Sequence, residues 1–512
     1  MQKVCYNKIN KKFNVGQILC IGNASNGEIG GKQRILAEKE EKMKKFWSKL
    51  SVLLIAGAML FSLAACGGKD DGYNEDGTIT IEFFGWGDAA EIANYQTLVN
   101  QFMEENKDII VSYSGENAST YMTTLTNRAN RLPDLFYMPD YDFLQWAANG
   151  TLKDISSYVT ESELSQLWPQ AVDEYYFNPN TIKLGKSDGA SLYGLPKDLG
   201  PFTLVYNKDL LDKQIEKYNL DSEEIYAQLS PTDPMTWTEF RTLLKQVDPD
   251  GGADNIYGIS HYEIEAAVYS NNANFFNDDA TQEMISQPEF YEAIQFIADL
   301  TLVDHVMPSA SDQISTNGYQ RFKGQGCIFS FMGPWDCAAF WTDVNFAYDI
   351  LPVPYNGENP DAVSTAWVGS MAYCISAKAS DAKTEAAMRL AKYLCYNEGA
   401  QRKFYELGQQ IPNITSMAND EYRNDTQGLL EGKNPPSRGV WLDTINGTSE
   451  TDKIGGKVRA RYYTYQSDWY SSLTEYFSNQ GMWERPKAAE EVCKAYASTL
   501  QASLDAMQAE MG

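Results

Sequence analysis

Between Thr78 and Met138 the chain alternates strand-forming runs with helical periodicity, and that alternation confines it to folds built around a parallel sheet. Thr78-Ile79-Thr80-Ile81-Glu82-Phe83-Phe84 is rich in β-branched and aromatic residues and ends at Gly85, which predicts a first strand. Ile92, Tyr95, Leu98, Val99, Phe102 and Met103 then recur at three- and four-residue steps, the mark of a helix with one apolar face. Ile109-Ile110-Val111 predicts a second strand, 120–128 a second helix and 133–138 a third strand. This β-α-β-α-β order opens a doubly wound α/β sheet, because parallel neighbours need a crossover between them. Ligands of such sheets lie beyond the carboxyl ends of the strands. The loops to watch are therefore Gly85-Trp86-Gly87-Asp88 and Pro139-Asp140-Tyr141.

Further along, Phe202 to Tyr206 reads as a strand, and Thr236 is a suitable N-cap for a helix from Trp237 to Val247. Phe290, Ile294, Ile297, Ala298 and Thr301 make a helical stripe, and Cys327 to Met332 a strand closed by Gly333-Pro334. Ala387, Leu390, Ala391 and Leu394 predict a helix, followed after Gly399 by a second to Leu407. A long last helix is expected from Pro486, an allowed first helical position, through Met507.

The chemistry that the residues exclude narrows the function. The two histidines, His261 and His305, lie in no metal-ligand spacing, which argues against a zinc hydrolase. Gly185-Lys186-Ser187 lacks the first glycine of a phosphate loop, since Asn180 stands there, and Gly369-Ser370 lacks the second glycine of a nucleophile elbow. Asp248, Asp250 and Asp254 around Gly251-Gly252 imitate part of a calcium loop but miss its closing Glu, so a solvated turn is expected. A pair of glycosidase carboxylates can be neither found nor dismissed among so many acids. The chain holds 42 Lys and Arg against 69 Asp and Glu. Without the basic first 65 residues, the net charge is near −34. Such acidity argues against nucleic acid and against charge-driven binding to anionic lipid. Cys327, Cys337, Cys374, Cys395 and Cys493 form no disulfide framework; a Cys327–Cys337 bridge is possible, but buried free thiols are expected.

The N-terminal part reads as address rather than structure. Lys44-Lys45, the uncharged run from Leu50 to Leu63 and the closing Leu63-Ala64-Ala65-Cys66 have the order of an export signal. Leu-Ala-Ala-Cys resembles the lipobox of bacterial lipoproteins, and the resemblance implies diacylation of Cys66 after cleavage before it. On this reading residues 1–42 are a mis-started extension, 43–65 the lipoprotein signal and 66–77 a flexible tether.

Five segments, in order, resemble the carbohydrate-type family of bacterial extracellular solute-binding proteins that includes maltose-binding protein. They are LPDLFYMPDYDFLQWAANGTLKDIS, YGLPKDLGPFTLVYNKDLLDK with Tyr206-Asn207-Lys208, PMTWTEFRTLLK, FKGQGCIFSFMGPWDCAAF and AAMRLAKYLCYNEGAQRKFYELGQQIPN. The resemblance implies an α/β, two-lobed periplasmic-binding-protein type II fold with a ligand cleft between lobes joined by hinge crossings. One lobe would hold 78–200 plus 354–410, the other 201–353 plus 411–512. It also implies a monomer without cofactor or catalysis, held outside the membrane by its lipid alone. Such a protein delivers a carbohydrate, an oligosaccharide by expectation, to ABC permease subunits whose ATPase is on separate chains. A sugar needs aromatic planes for its C–H face and planar acceptors for its hydroxyls. By position, Trp335 is the expected stacking platform, with Trp86, Tyr137, Trp367 and Trp441 as further aromatics and Asp88 and Asp140 as acceptors. Tyr141 replaces the basic residue that follows Asp140 in maltose-binding protein, and 446–483 is longer and rich in Tyr and Trp, so maltose itself is not implied. The rivals are an anchored glycan-active enzyme and a binder of another small solute, such as a peptide or polyamine.

Overall fold

The computed structural model describes residues 73–447, 453–458 and 466–511. The extension, the signal and Cys66 lie outside the described residues, as does most of the tether. The tether's last residues are described and folded: Tyr73 bridges Ile79 antiparallel, and the Asn74 N–H donates to the Thr78 carbonyl at 2.7 Å.

The predicted β-α-β-α-β unit is present. Ile79–Trp86 pairs in parallel with Ile109–Glu116 and Leu135–Pro139, with Ile81 opposite Val111 and Phe83 opposite Leu135. Helix Ala89–Glu105 covers these strands with Tyr95, Leu98, Val99 and Phe102. Two strands from later in the chain complete the sheet, giving the order 109–116, 79–86, 135–139, 371–375, 194–196. Met371–Ile375 runs antiparallel to both neighbours, so Tyr373 faces Tyr137 on one side and Leu195 on the other.

A second, four-stranded sheet is ordered 257–259, 327–332, 203–207, 348–351. Its Thr203–Asn207 strand is antiparallel to Cys327–Met332 and to Tyr348–Leu351 and has all five residues buried. Helices Trp237–Val247, Pro288–Leu302, Gln466–Asn479 and Ala489–Met511 supply the rest of that core through Phe240, Phe290, Leu473 and Leu500.

A small third sheet, ordered 454–458, 364–369, 200–201, lies where the chain passes between the two larger ones. Helix Gly439–Asn446 packs on it, and its Val440, Trp441 and Ile445 join a core with Val205, Met332 and Val368. The first sheet has its own apolar core, while the second is packed on both faces, with Leu204 and Tyr206 in one cluster and Val205, Tyr348 and Ile350 in the one that Val440 and Trp441 join.

The last helix departs from expectation. It begins at Ala489 rather than Pro486, because Lys487 is held at φ 60, a left-handed conformation that a right-handed helix does not propagate through. Helix Gln466–Asn479, hidden in sequence by irregular aromatic spacing, is among the helices that the periodicity did not announce, as are Lys208–Tyr218 and Gly439–Asn446. All five cysteines of the described body are buried free thiols.

The Thr236 cap is a full capping box: the Glu239 N–H donates to Thr236 Oγ1 at 3.2 Å, and the Thr236 N–H to Glu239 Oε2 at 2.7 Å. Thr236→Ala should therefore cost about 1 kcal/mol, seen as a lower urea midpoint at unchanged slope. An unmoved midpoint would mean that the cap carries no stability.

Candidate functional site

The carboxyl ends of the parallel strands and the crossings between the sheets meet in one strip of polar and aromatic side chains. Strand Cys327–Met332 ends at Gly333-Pro334, and Trp335 follows with 41% of its surface exposed. Its indole lies parallel to Phe202, centroids 5.9 Å apart at 1°, and close to parallel with Trp367, 5.9 Å at 27°. Phe202 and Trp367 stack in turn at 5.1 Å and 28°. Two elements hold this triad: the Phe202 N–H donates to the Trp367 carbonyl at 3.1 Å, and a Cβ on Gly200 would lie 2.9 Å from the Trp335 ring. Trp335 and half-buried Phe202 offer a flat apolar face, while Trp367 is mostly covered.

The strip continues from the rings into hydrogen-bonding groups. At Gly369 a Cβ would meet the Trp367 ring at 2.8 Å and the Asp140 carboxylate at 3.7 Å, so aromatic face and acid adjoin. Asp140, buried at the first position of helix Asp140–Ala148, accepts from the Ser370 N–H at 3.0 Å. The Ser370 hydroxyl donates to the Asp198 carbonyl at 2.6 Å, and Asp198 Oδ1 accepts from the Met371 N–H at 3.0 Å. Asp198 Oδ2 takes the Lys197 ammonium at 2.7 Å. That ammonium is buried over the rings of Tyr95 and Tyr137, at 5.6 and 5.4 Å. Burial works against its charge, but Asp198 and then Glu91 outweigh it and raise its pKa.

Glu91 closes the strip on the first-strand side. Its carboxylate lies against Gly87, where a Cβ would be 2.6 Å away, and burial pushes its pKa from 4.5 up to about 7, with Lys197 opposing and Asp88 and Asp198 adding. The third crossing supplies Gln409, whose Nε2 donates to the Glu91 carbonyl at 3.5 Å, and Gln410, which accepts from Lys197 at 3.4 Å. Gly408 lets that crossing touch the helix behind Trp335. At φ 71 its carbonyl accepts from the Ala338 N–H at 3.0 Å, and a Cβ there would sit 2.8 Å from that nitrogen.

The residues singled out from sequence scatter around this strip. Trp335, Trp367 and Asp140 are brought together. Asp88 is exposed and caps helix Ala89–Glu105, accepting from the Glu91 N–H at 2.8 Å. Trp86 is half-buried, edge-on to Tyr121 at 5.0 Å. Tyr137 is fully buried among Phe83, Tyr95 and Tyr373. Trp441 corrects expectation: it is fully buried and donates through Nε1 to Thr203 Oγ1 at 2.9 Å, which makes it part of the core that joins the sheets. The described part of the Tyr/Trp-rich late segment contributes to the core, for Trp469 packs edge-on to Phe275 at 5.2 Å and the Tyr470 hydroxyl donates to Glu265 at 2.8 Å. The calcium-like spacing is a turn filled by a lysine: Lys217 sets its ammonium on Asp250, at 3.2 Å, and on Asp254.

Sequence reasoning missed Phe202, Glu91, Lys197, Asp198 and Gln409 as site residues. The charged pair between Pro196 and Gly200, inside an otherwise apolar crossing, was the available signal.

The profile of the bacterial extracellular solute-binding proteins matches residues 97–429. The galactooligosaccharide-binding protein of Bacillus subtilis (strain 168) is 25% identical over 388 residues, 73% of this chain and 83% of that protein. Among solved structures, the ABC substrate-binding protein Lmo0181 from Listeria monocytogenes, in complex with cycloalternan, superposes with a TM-score of 0.66 at 21% identity, covering 84% of this chain and 99% of the other. UgpB from Mycobacterium tuberculosis, in complex with glycerophosphocholine, superposes at 0.64 with 14% identity, covering 84% and 99%. The fold is the two-lobed type II periplasmic-binding-protein fold.

Two predictions follow from burial. Trp441→Ala should destabilise by about 3–5 kcal/mol in urea denaturation, whereas Trp335→Ala should change stability by under about 1 kcal/mol; equal losses would mean that Trp335 is core as well. The native state keeps a proton on Glu91 between about pH 4.5 and 7 that the unfolded chain has already released, so stability attributable to Glu91 falls as pH rises through that window. Glu91→Gln should then lose less of its urea midpoint than wild type between about pH 5 and 8. Parallel profiles would show a carboxyl hydrated like any surface glutamate.

Proposed function

We propose, given that the chain belongs to the bacterial extracellular solute-binding proteins, that it captures a carbohydrate between its lobes and hands it to the permease of an ABC importer. Its relatives are binding proteins rather than enzymes. Diacylated Cys66 holds it at the outer face of the membrane, where two acyl chains anchor stably and one does not. ATP hydrolysis belongs to separate chains.

The observation that carries the reading is the Phe202–Trp335–Trp367 stack running directly into Asp140. A pyranose presents C–H groups on one face and hydroxyls around its edge, so an apolar plane beside carboxylate acceptors matches it. A peptide would want an open sheet edge or extended backbone partners instead. A polyamine would want carboxylates with a single ring. The parallel Trp335 and Phe202 rings, backed by Trp367, favour the saccharide over both. The galactooligosaccharide-binding relative supports the same class, while the glycerophosphocholine complex marks the other-solute alternative.

Titration calorimetry with maltotriose, isomaltotriose and a β-1,4-galactotriose should give heat with at least one. Trp335→Ala should weaken that binding roughly tenfold to a hundredfold, the equivalent of about 1.5–3 kcal/mol of lost apolar contact. Absence of heat with every saccharide, or an unaffected Trp335→Ala, would sink the carbohydrate reading. Separately, Cys66→Ser should move the protein from the membrane fraction to the medium; retention at the membrane would sink the anchor.

A further inference from the structure

The strip beside the aromatic stack is unusually short of groups that could welcome a negative charge. A helix N-terminus at the end of a strand is a natural anion site, since its first N–H groups lack partners. Here one such end is already capped by the chain's own carboxylate, and two further carboxylates near the stack are held on backbone N–H groups. Asp88 accepts from the Glu91 N–H at the start of Ala89–Glu105, and Glu91 itself stands in the same first turn. Asp140 opens its helix and accepts from Ser370. Across the cleft, Asp336 accepts from the Gly333 N–H at 2.8 Å, immediately after Trp335.

Cations in the neighbourhood are already engaged. Lys197 is bound to Asp198 at 2.7 Å beneath two tyrosine rings, and Lys323 pairs with Asp343. What the strip has spare is acceptors. Gln409 is 4% exposed, and with its Nε2 directed to the Glu91 carbonyl, its Oε1 is buried without a partner. A buried acceptor left unmatched is a cost to the free protein until a donor reaches it. A hydroxyl or an ammonium can donate; a carboxylate, phosphate or sulfate brings only more acceptors and a repelled charge.

We propose that the cleft sorts saccharides by charge, taking neutral and aminated sugars and refusing those bearing carboxylate, phosphate or sulfate, with Glu91 and Gln409 as the residues that set this rule. The rule rests on the carbohydrate reading and refines it to a substrate class. It differs from stacking on Trp335, which is indifferent to the charge of substituents at the sugar's edge.

The test has a ligand-free arm and a ligand arm. Without ligand, at about pH 8 where Glu91 is ionised, the fluorescence of Trp335, isolated as the difference between wild type and Trp335→Phe, should be quenched several-fold better by caesium than by iodide, relative to neutral acrylamide. Equal quenching by the two ions, or preference for iodide, overturns the charge rule whether or not any sugar is known. With ligand, each neutral trisaccharide that binds is compared with its counterpart oxidised to a carboxylate at carbon 6. The acid should bind at least thirtyfold more weakly, and Glu91→Gln should shrink that ratio at least threefold, whatever it does to the affinity for the neutral sugar. Equal affinity for acid and neutral forms overturns the rule and leaves the carbohydrate reading intact. A ratio untouched by Glu91→Gln removes Glu91 from it. If caesium is preferred and no saccharide of either charge binds, the acidic cleft stands and the carbohydrate reading fails, taking this substrate class with it.

Discussion

A buried ammonium governs how this molecule is held together. An ion inside a protein is tolerable only with partners that replace its hydration, and removing one of them is far costlier than never having had the pair. Lys197 has Asp198, Gln410 and the faces of Tyr95 and Tyr137. These partners come from separate parts of the chain: Asp198 is the next residue, Gln410 lies far along the sequence, and the tyrosines belong to the first sheet and its covering helix. The Lys197 carbonyl accepts from Gln410 at 3.2 Å, and the neighbouring Pro196 carbonyl from Asn413 at 2.7 Å, both on the third pass. Asp198 meanwhile binds Ser370 and Met371 on the second. Three separate segments become one hydrogen-bonded bundle beside the first sheet, and the aromatic triad stands at its far end.

The periodicity of the first sixty residues of the folded body made its architecture readable before any coordinates. Strand and helix are set there by local patterning: Ile81, Phe83 and Val111 must face inward together, and Tyr95, Leu98 and Phe102 share one helical face. The long-range partners were not readable in that way. Nothing near Met371–Ile375 says that it will lie between Leu135–Pro139 and Gly194–Pro196, because its neighbours are fixed by a path through the other lobe. Lys487 hid the start of the last helix for a different reason, since a lysine does not announce a left-handed backbone.

For the cleft, the resemblance pointed to Trp335 through its Gly-Pro-Trp loop, and the strand-end loops of the parallel sheet pointed to Asp140. The same reasoning misplaced Trp441, because sequence position carries no information about which side of a helix a residue takes, and Trp441 turns toward Thr203. Phe202 escaped notice since it reads as the first residue of a strand, yet it stops one residue short of Thr203–Asn207 and stays half-exposed beside Trp335. Glu91 and Gln409 were invisible for a physical reason: each matters through what burial does to a polar atom, and burial is a property of the assembled molecule.

The late arrival of the strand Met371–Ile375 has a consequence for how the chain comes into being. Until it is supplied, Leu135–Pro139 shows a row of bare amides and carbonyls along one side, and the early half has no finished sheet to freeze into. The first sheet can therefore close only once a strand from the later part of the chain has been supplied.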